Sequence, residues 1–213
     1  MTATRIHLIR HGEVHNPDGI LYGRLPNFGL SVRGQIMARM AAEDLLAQGR
    51  PVTSLRVSPL QRTLESSLAV QELFGLEPIV DERVIEPHNF FEGKRLTASN
   101  VLRHPSYLWQ LRNPFRPSWG ESFVSVQERM LAALEDSWQT TESGDAVIVS
   151  HQMPIWVTHL AIAGSPLFHN PKNRLCALSS ITSFEKIAGK FVEVEYREPA
   201  SSLLGSSIDV GAV

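Results

Sequence analysis

The sequence predicts a single α/β domain, a three-layer α/β/α sandwich around a mostly parallel central sheet. Two observations carry that reading. Short apolar runs alternate with longer stretches whose apolar residues recur every three or four positions, the patterns of strands and of one-sided helices. Several of those runs also end on a polar residue suited to chemistry, as happens when parallel strands gather functional groups at their carboxyl ends. No internal repeat and no linker divides the 213 residues, so residues 1–197 are read as one domain and 198–213 as a mobile tail.

The first strand is Ile6-His7-Leu8-Ile9, stopped by Gly12. Residues 13–30, rich in Gly, Pro, Asn and Asp, form a long loop, and long loops in compact domains are usually functional. A helix starts at Ser31, with Met37, Ala41 and Leu45 on one face beside Ile36 and Met40, and ends at Gly49 and Pro51. Leu55-Arg56-Val57 is a brief second strand. Ser58 with Gln61 three residues on resembles a capping box, and Pro59 suits a first helical position. Leu64, Leu68, Val70 and Phe74 supply that helix's buried side, and Gly75 closes it.

Pro78-Ile79-Val80, with Val84-Ile85 beyond a charged break, suggests a short strand leading into a loop at Glu86. Residues 87–120 hold Pro87, Pro105, Pro114, Pro117 and many aromatics, and are expected to form an irregular insertion or cap. A long helix follows from Glu121, its Val126, Met130, Leu134 and Trp138 four apart. Ala146–Val149 is a fully apolar strand, and the helix after Ser150-His151-Gln152 runs to Gly164. Two late strands, about 177–184 and 191–196, meet at Gly189, while Leu203, Leu204 and Ile208 leave docking of the tail open.

Composition narrows the partners. At 43% hydrophobic, 20% charged and a formal charge of −2, the chain has no global attraction for nucleic acid or an anionic membrane. No apolar stretch is long enough to span a bilayer, and charged Arg5 and Arg10 leave no signal-peptide core. The only cysteine, Cys176, permits no internal disulfide, so a reducing, cytoplasmic setting is expected. A homodimer is left open.

The chemistry lies at the strand ends. Arg10 and His11 place a permanent cation beside an imidazole, a pair suited to gripping a phosphate and attacking its phosphorus. Arg62, in the first turn of its helix, can address the same anion together with that helix's free N–H groups. His151 ends another strand at another helix start. His7, His11 and His15 would line one face only of a helix; the strand pattern argues against that metal site. Trp109, Trp119 and Trp138 lack the basic stripe of a nucleic-acid platform.

Leu8-Ile9-Arg10-His11-Gly12-Glu13, Ser58-Pro59-Leu60-Gln61-Arg62-Thr63 and Ser150-His151 together resemble signatures of the histidine phosphatase superfamily, the phosphoglycerate mutase-like family. The resemblance extends from residue 5 to about 196. It implies the phosphoglycerate mutase-like fold, a phosphohistidine formed on His11, and a phosphate pocket of Arg10, Arg62 and His151. It also implies Glu86 as proton donor, and neither metal nor cofactor. Asn16, Tyr22, Arg24 and Gln152 are further candidates for substrate or phosphate contact, Gln152 through its backbone amide. Gln152 departs from the family's usual glycine there. Asp81, Glu82 and Glu92 rival Glu86, because the stretch from Glu86 to Glu92-Gly93 is one residue short of the family pattern. Glu86-Pro87-His88-Asn89-Phe90 lacks the Tyr-Gly of the glycolytic mutases, which favours a phosphatase of a small phosphorylated metabolite over a mutase. A non-catalytic phospho-ligand binder would need a damaged set. Lys94, Arg95, Arg112 and Arg116 could form a second anion site.

Overall fold

A computed structural model of the chain describes residues 2–95, 107, 109, 112–113, 119–205 and 207. Its strands are β1 (Arg5–Arg10), β2 (Val52–Val57), β3 (Ile79–Val80), β4 (Asp145–Ser150), β5 (Ile181–Ile187) and β6 (Lys190–Arg197). They form one six-stranded sheet in the order β3-β2-β4-β1-β5-β6. β3, β2, β4 and β1 run parallel, and the β5–β6 hairpin is antiparallel beside β1. The helices are α1 (Val32–Ala47), α2 (Gln61–Phe74), α3 (Phe123–Thr140), α4 (Gln152–Ile162) and α5 (Ser201–Leu204).

The period of two along each strand divides the core into two layers. Ile6 and Leu8 of β1, with Ala146 and Ile148 of β4, face Val126, Met130 and Leu134 of α3 and Ile155 and Val157 of α4. Their neighbours Ile9, Val147 and Val149 face the other way, onto Ala41, Ala42 and Leu45 of α1 and Val70 of α2. Sheet and helices therefore form the expected three layers.

Local chemistry sets most of the boundaries. Ser31 caps α1, its hydroxyl accepting from the Gly34 N–H, and Ser122 does the same for α3 through Ser125. Gly75 closes α2 in the left-handed region at φ 65°. Four expectations are corrected. Ile36 and Leu68 point to solvent, at 51% and 59% exposed, because their helices turn neighbouring residues inward. α2 begins at Gln61 with Leu60 before it, so Ser58 caps nothing. Val84 closes a 3-10 turn, Glu82–Val84, capped by Asp81. Residues 177–180 form a turn, with Ser179 at φ 55°, ahead of β5.

The segment read as a mobile tail docks at least as far as α5, where Ala200 is buried and Leu203 and Leu204 pack with Met37 and Leu178. Ile208 lies outside the described residues, as does most of the expected insertion between 96 and 118. Among the described residues no helix is long and apolar enough to cross a membrane.

At the amino-terminal end of β4, away from the strand ends that carry the chemistry, Asp145 is fully buried. Its carboxylate accepts from Thr4 Oγ1, from Arg50 and from His7 Nε2 at 3.2 Å, while His7 Nδ1 reaches Ser183 Oγ at 2.8 Å. Burial disfavours its charge, but these bonds outweigh burial and hold the carboxyl well below the usual carboxylate range. Removing one partner of such a buried set costs about 3–5 kcal/mol. Asp145→Ala should accordingly lower Tm by about 10 °C, read by thermal unfolding. Because the folded pKa is depressed, the contribution is complete above the unfolded value of about 4. The gap between wild type and variant should narrow as pH falls below that value.

Candidate active site

All four parallel strands deliver their carboxyl ends to the same edge, and the buried polar groups collect there. β1 ends on Arg10 and leads directly into His11 and Gly12. The turn is tight because the loop packs on the first turn of α1: a Cβ on Gly12 would lie 2.2 Å from the Gly34 carbonyl oxygen. Glycine is required there by contact with backbone, which cannot yield. Ser66 Oγ accepts from the Gly12 N–H, and Glu13 accepts from Ser31 Oγ and Arg33, pinning the loop to α1.

His11 is 2% exposed, and its Nδ1 lies 2.7 Å from the Gly12 carbonyl oxygen. A carbonyl only accepts, so Nδ1 carries the proton and the lone pair is left on Nε2. Burial, then Arg62 and Arg10, hold the His11 pKa well below its ordinary value, so the ring is neutral at pH 7. Arg10 and Arg62 are both 1% exposed. Arg10 donates to the Cys176 carbonyl at 2.7 Å, and Arg62 to the Gly23 carbonyl at 2.9 Å. The Arg62 guanidinium also rests over the Tyr22 ring at 4.8 Å.

His151, at the end of β4, sets its ring 5.3 Å from that of His11. Its Nε2 meets Ser58 Oγ at 2.7 Å, and burial followed by the charges of Arg62 and Arg10 keeps it neutral. Its Nδ1 lies 3.9 Å from Glu86 Oε2, too far for a hydrogen bond. Glu86 is buried, and burial pushes its pKa up to about 7 against the pull of Arg62, Arg174 and Arg10. Among the described residues Arg62 Nε, His151 Nδ1 and Glu86 Oε2 are buried without a hydrogen-bond partner. Buried polar atoms are usually paired, so these three are places where a bound guest can supply the partner. An anion that accepts from the arginine and the histidine, and whose ester oxygen takes a proton from the carboxyl, matches all three.

The sequence pattern of the Histidine phosphatase superfamily (branch 1) matches residues 6–198. The chain belongs to that superfamily. An uncharacterised protein of Mycobacterium tuberculosis is 43% identical over 199 residues, covering 93% of this chain and 98% of its own length. Phosphoserine phosphatase 1 of Hydrogenobacter thermophilus is 30% identical over 168 residues, 76% of this chain and 78% of that protein. Among solved structures, phosphoserine phosphatase of Entamoeba histolytica in complex with 3-phosphoglyceric acid superposes with a TM-score of 0.73 at 22% identity. It covers 91% of this chain and 96% of that one, a likeness of fold.

In this member of the histidine phosphatase superfamily the fold brings His11, Arg10, Arg62, His151 and Glu86 together, with Tyr22 on the wall. Gln152 opens α4, where its backbone N–H has no partner within the helix. Its side chain reaches the Cys176 carbonyl at 3.4 Å and meets Arg174 at 3.4 Å. Two further candidates, Asn16 and Arg24, are engaged with nearby backbone. Asn16 both donates to and accepts from the backbone of Ile20, shaping the loop. Arg24 donates to the Glu86 carbonyl and to Glu121.

The rivals of Glu86 differ from it in burial and partners. Asp81 is held by Arg83 and Arg56, Glu82 is exposed, and Glu92 caps Asn89. Lys94 lies over the Phe90 ring, Arg95 pairs with Asp18 and Arg112 covers Trp109; Arg116 is outside the described residues. His15 is exposed and His7 is engaged with Asp145, so the three N-terminal histidines do not converge.

Sequence reasoning missed Ser58 as a partner of His151, because its position before a helix imitated a cap. It also missed the carbonyls of Cys176 and Gly23, which carry no side-chain signal. Ser58 fixes the His151 ring from the side opposite Glu86. Ser58→Ala should lower kcat about 10- to 100-fold with little change in KM, and Ser58→Thr should restore much of it, measured by steady-state kinetics.

Proposed function

We propose that the chain is a phosphatase that hydrolyses a small phosphorylated metabolite through a phosphohistidine on His11. The observation that carries this reading is the His11 Nδ1 bond to the Gly12 carbonyl, which leaves a neutral Nε2 nucleophile beside two buried arginines. In the first step Nε2 forms a bond to phosphorus as the bond from phosphorus to the ester oxygen breaks. Arg10, Arg62 and His151 hold the equatorial oxygens, and Glu86 gives its proton to the departing alkoxide. In the second step water attacks the phosphohistidine, Glu86 takes a proton from that water, and inorganic phosphate leaves with the His11 lone pair restored.

A mutase would use the same histidine, arginines and acid. Phosphatase is preferred because Glu86–Phe90 lacks the Tyr-Gly expected of the glycolytic mutases, and because a relative at 30% identity is named a phosphoserine phosphatase. A cytoplasmic setting belongs to the same proposal, supported by the free, buried Cys176.

His11→Ala should abolish turnover, and acid-labile phosphate should label the wild type but not the variant; retained activity would overturn the covalent step. Glu86 supplies the second test. Its carboxyl must be protonated to act as acid, so kcat/KM for an alkyl monoester should decline as pH rises above about 7. Glu86→Gln should remove that alkaline limb and cost about 10²–10⁴ on an alkyl phosphate, with a smaller loss on para-nitrophenyl phosphate, whose leaving group needs no proton. Equal losses on both substrates would make Glu86 structural.

A further inference from the structure

A cleft of about 380 Å³ has walls that include Trp119, Phe123, Phe168, His169 and Pro171, with Asn170 and Arg174 as polar members. Its character is aromatic. His169 presents a ring rather than a polar edge: Nδ1 faces the Leu167 carbonyl, Nε2 accepts from Arg174, and the ring centroid lies 5.5 Å from that of Phe123. Burial also lowers the His169 pKa, so this ring is neutral at pH 7. Phe168, on the same lining, is 43% exposed.

Both walls are tied to the reacting groups. Residues 119–121 pair with the stretch just beyond Glu86: Phe90 N–H donates to the Trp119 carbonyl at 2.6 Å and Glu121 N–H to the His88 carbonyl at 3.2 Å. Arg24 bridges the Glu86 carbonyl and the Glu121 carboxylate. On the other wall, Arg174 meets Gln152, the residue after His151, and its charge acts on Glu86. The cleft is therefore on the Glu86 side of the phosphate pocket. That is also the side on which the leaving group must lie, because Glu86 has to reach the ester oxygen.

We propose that this cleft is the leaving-group subsite and that the substrates are phosphate monoesters of alcohols bearing an apolar or aromatic group. The proposal rests on the phosphatase reading above. Its volume falls within the range of small-molecule sites, and its mostly apolar lining offers an aromatic group several rings to pack against.

The test compares kcat/KM for 2-phenylethyl phosphate, ethyl phosphate and phosphoserine on the purified full chain. The phenylethyl ester should exceed both others by about 10- to 100-fold, the scale by which apolar pockets discriminate. In Phe168→Ala and Trp119→Ala that ratio should collapse toward one; Phe168 is exposed enough that its loss does not threaten folding. A parallel measurement needs no turnover: calorimetric affinity for 2-phenylethylphosphonate against ethylphosphonate, in wild type and Phe168→Ala. Discrimination between phosphonates with no hydrolysis would sustain the subsite and overturn the phosphatase reading. Hydrolysis with equal rates and equal affinities, or a preference for phosphoserine, would overturn the subsite and leave the phosphatase reading standing.

Discussion

Two guanidinium groups, Arg10 and Arg62, are almost wholly withdrawn from water at one edge of a parallel sheet. Withdrawing a charge costs several kcal/mol unless it is well partnered, and the partners here include the backbone carbonyls of Cys176 and Gly23. The positive field of the pair reaches the titratable groups beside it. It adds to burial in holding His11 and His151 neutral, and it opposes burial at Glu86, whose pKa settles at about 7. The proposed nucleophile and acid are thus set by one environment acting on groups of opposite charge type.

The fold is arranged to hold that edge still. Gly12 lets the loop after β1 lie against the first turn of α1, and Glu13 and Ser31 lock the contact. At the other end of β4, the Asp145 set joins its first residue to β1 through His7 and to the approach of β2 through Arg50. The two central strands that carry His11 and His151 are therefore fixed at both ends, by packing at one and by a buried ion network at the other.

Much of this was legible in the sequence because strand and helix periods are local. The alternation in Ile6–Ile9 and Ala146–Val149, the serine cap at Ser31 and the glycine stops at Gly75 and Gly164 each depend on a few neighbouring residues. What escaped depended on contacts distant in sequence. Ser58 read as a cap because its local pattern fits one, but its hydroxyl is taken by His151, 93 positions away. Glu86 could not be separated from Glu82 and Glu92 by spacing. Burial separates them, and burial is decided by the whole fold. The tail read as mobile because Ser and Gly dominate it, yet Ala200 and Leu203 find an apolar seat on α1 that only the tertiary structure creates.

The glutamine that stands where the family usually has glycine gains a physical role from its neighbours. The Cys176 carbonyl receives both the Arg10 guanidinium and the Gln152 side-chain amide, and the other end of that amide meets Arg174. A glycine could make none of the side-chain contacts. With glutamine there, the cation proposed to grip phosphate and the cation that lines the aromatic cleft share one short chain of hydrogen bonds. A group entering the cleft and displacing Arg174 would act on Gln152 and, through the shared carbonyl, on Arg10. The departure from the family pattern thus falls at the junction between the part of the site that handles phosphate and the part proposed to choose what carries it.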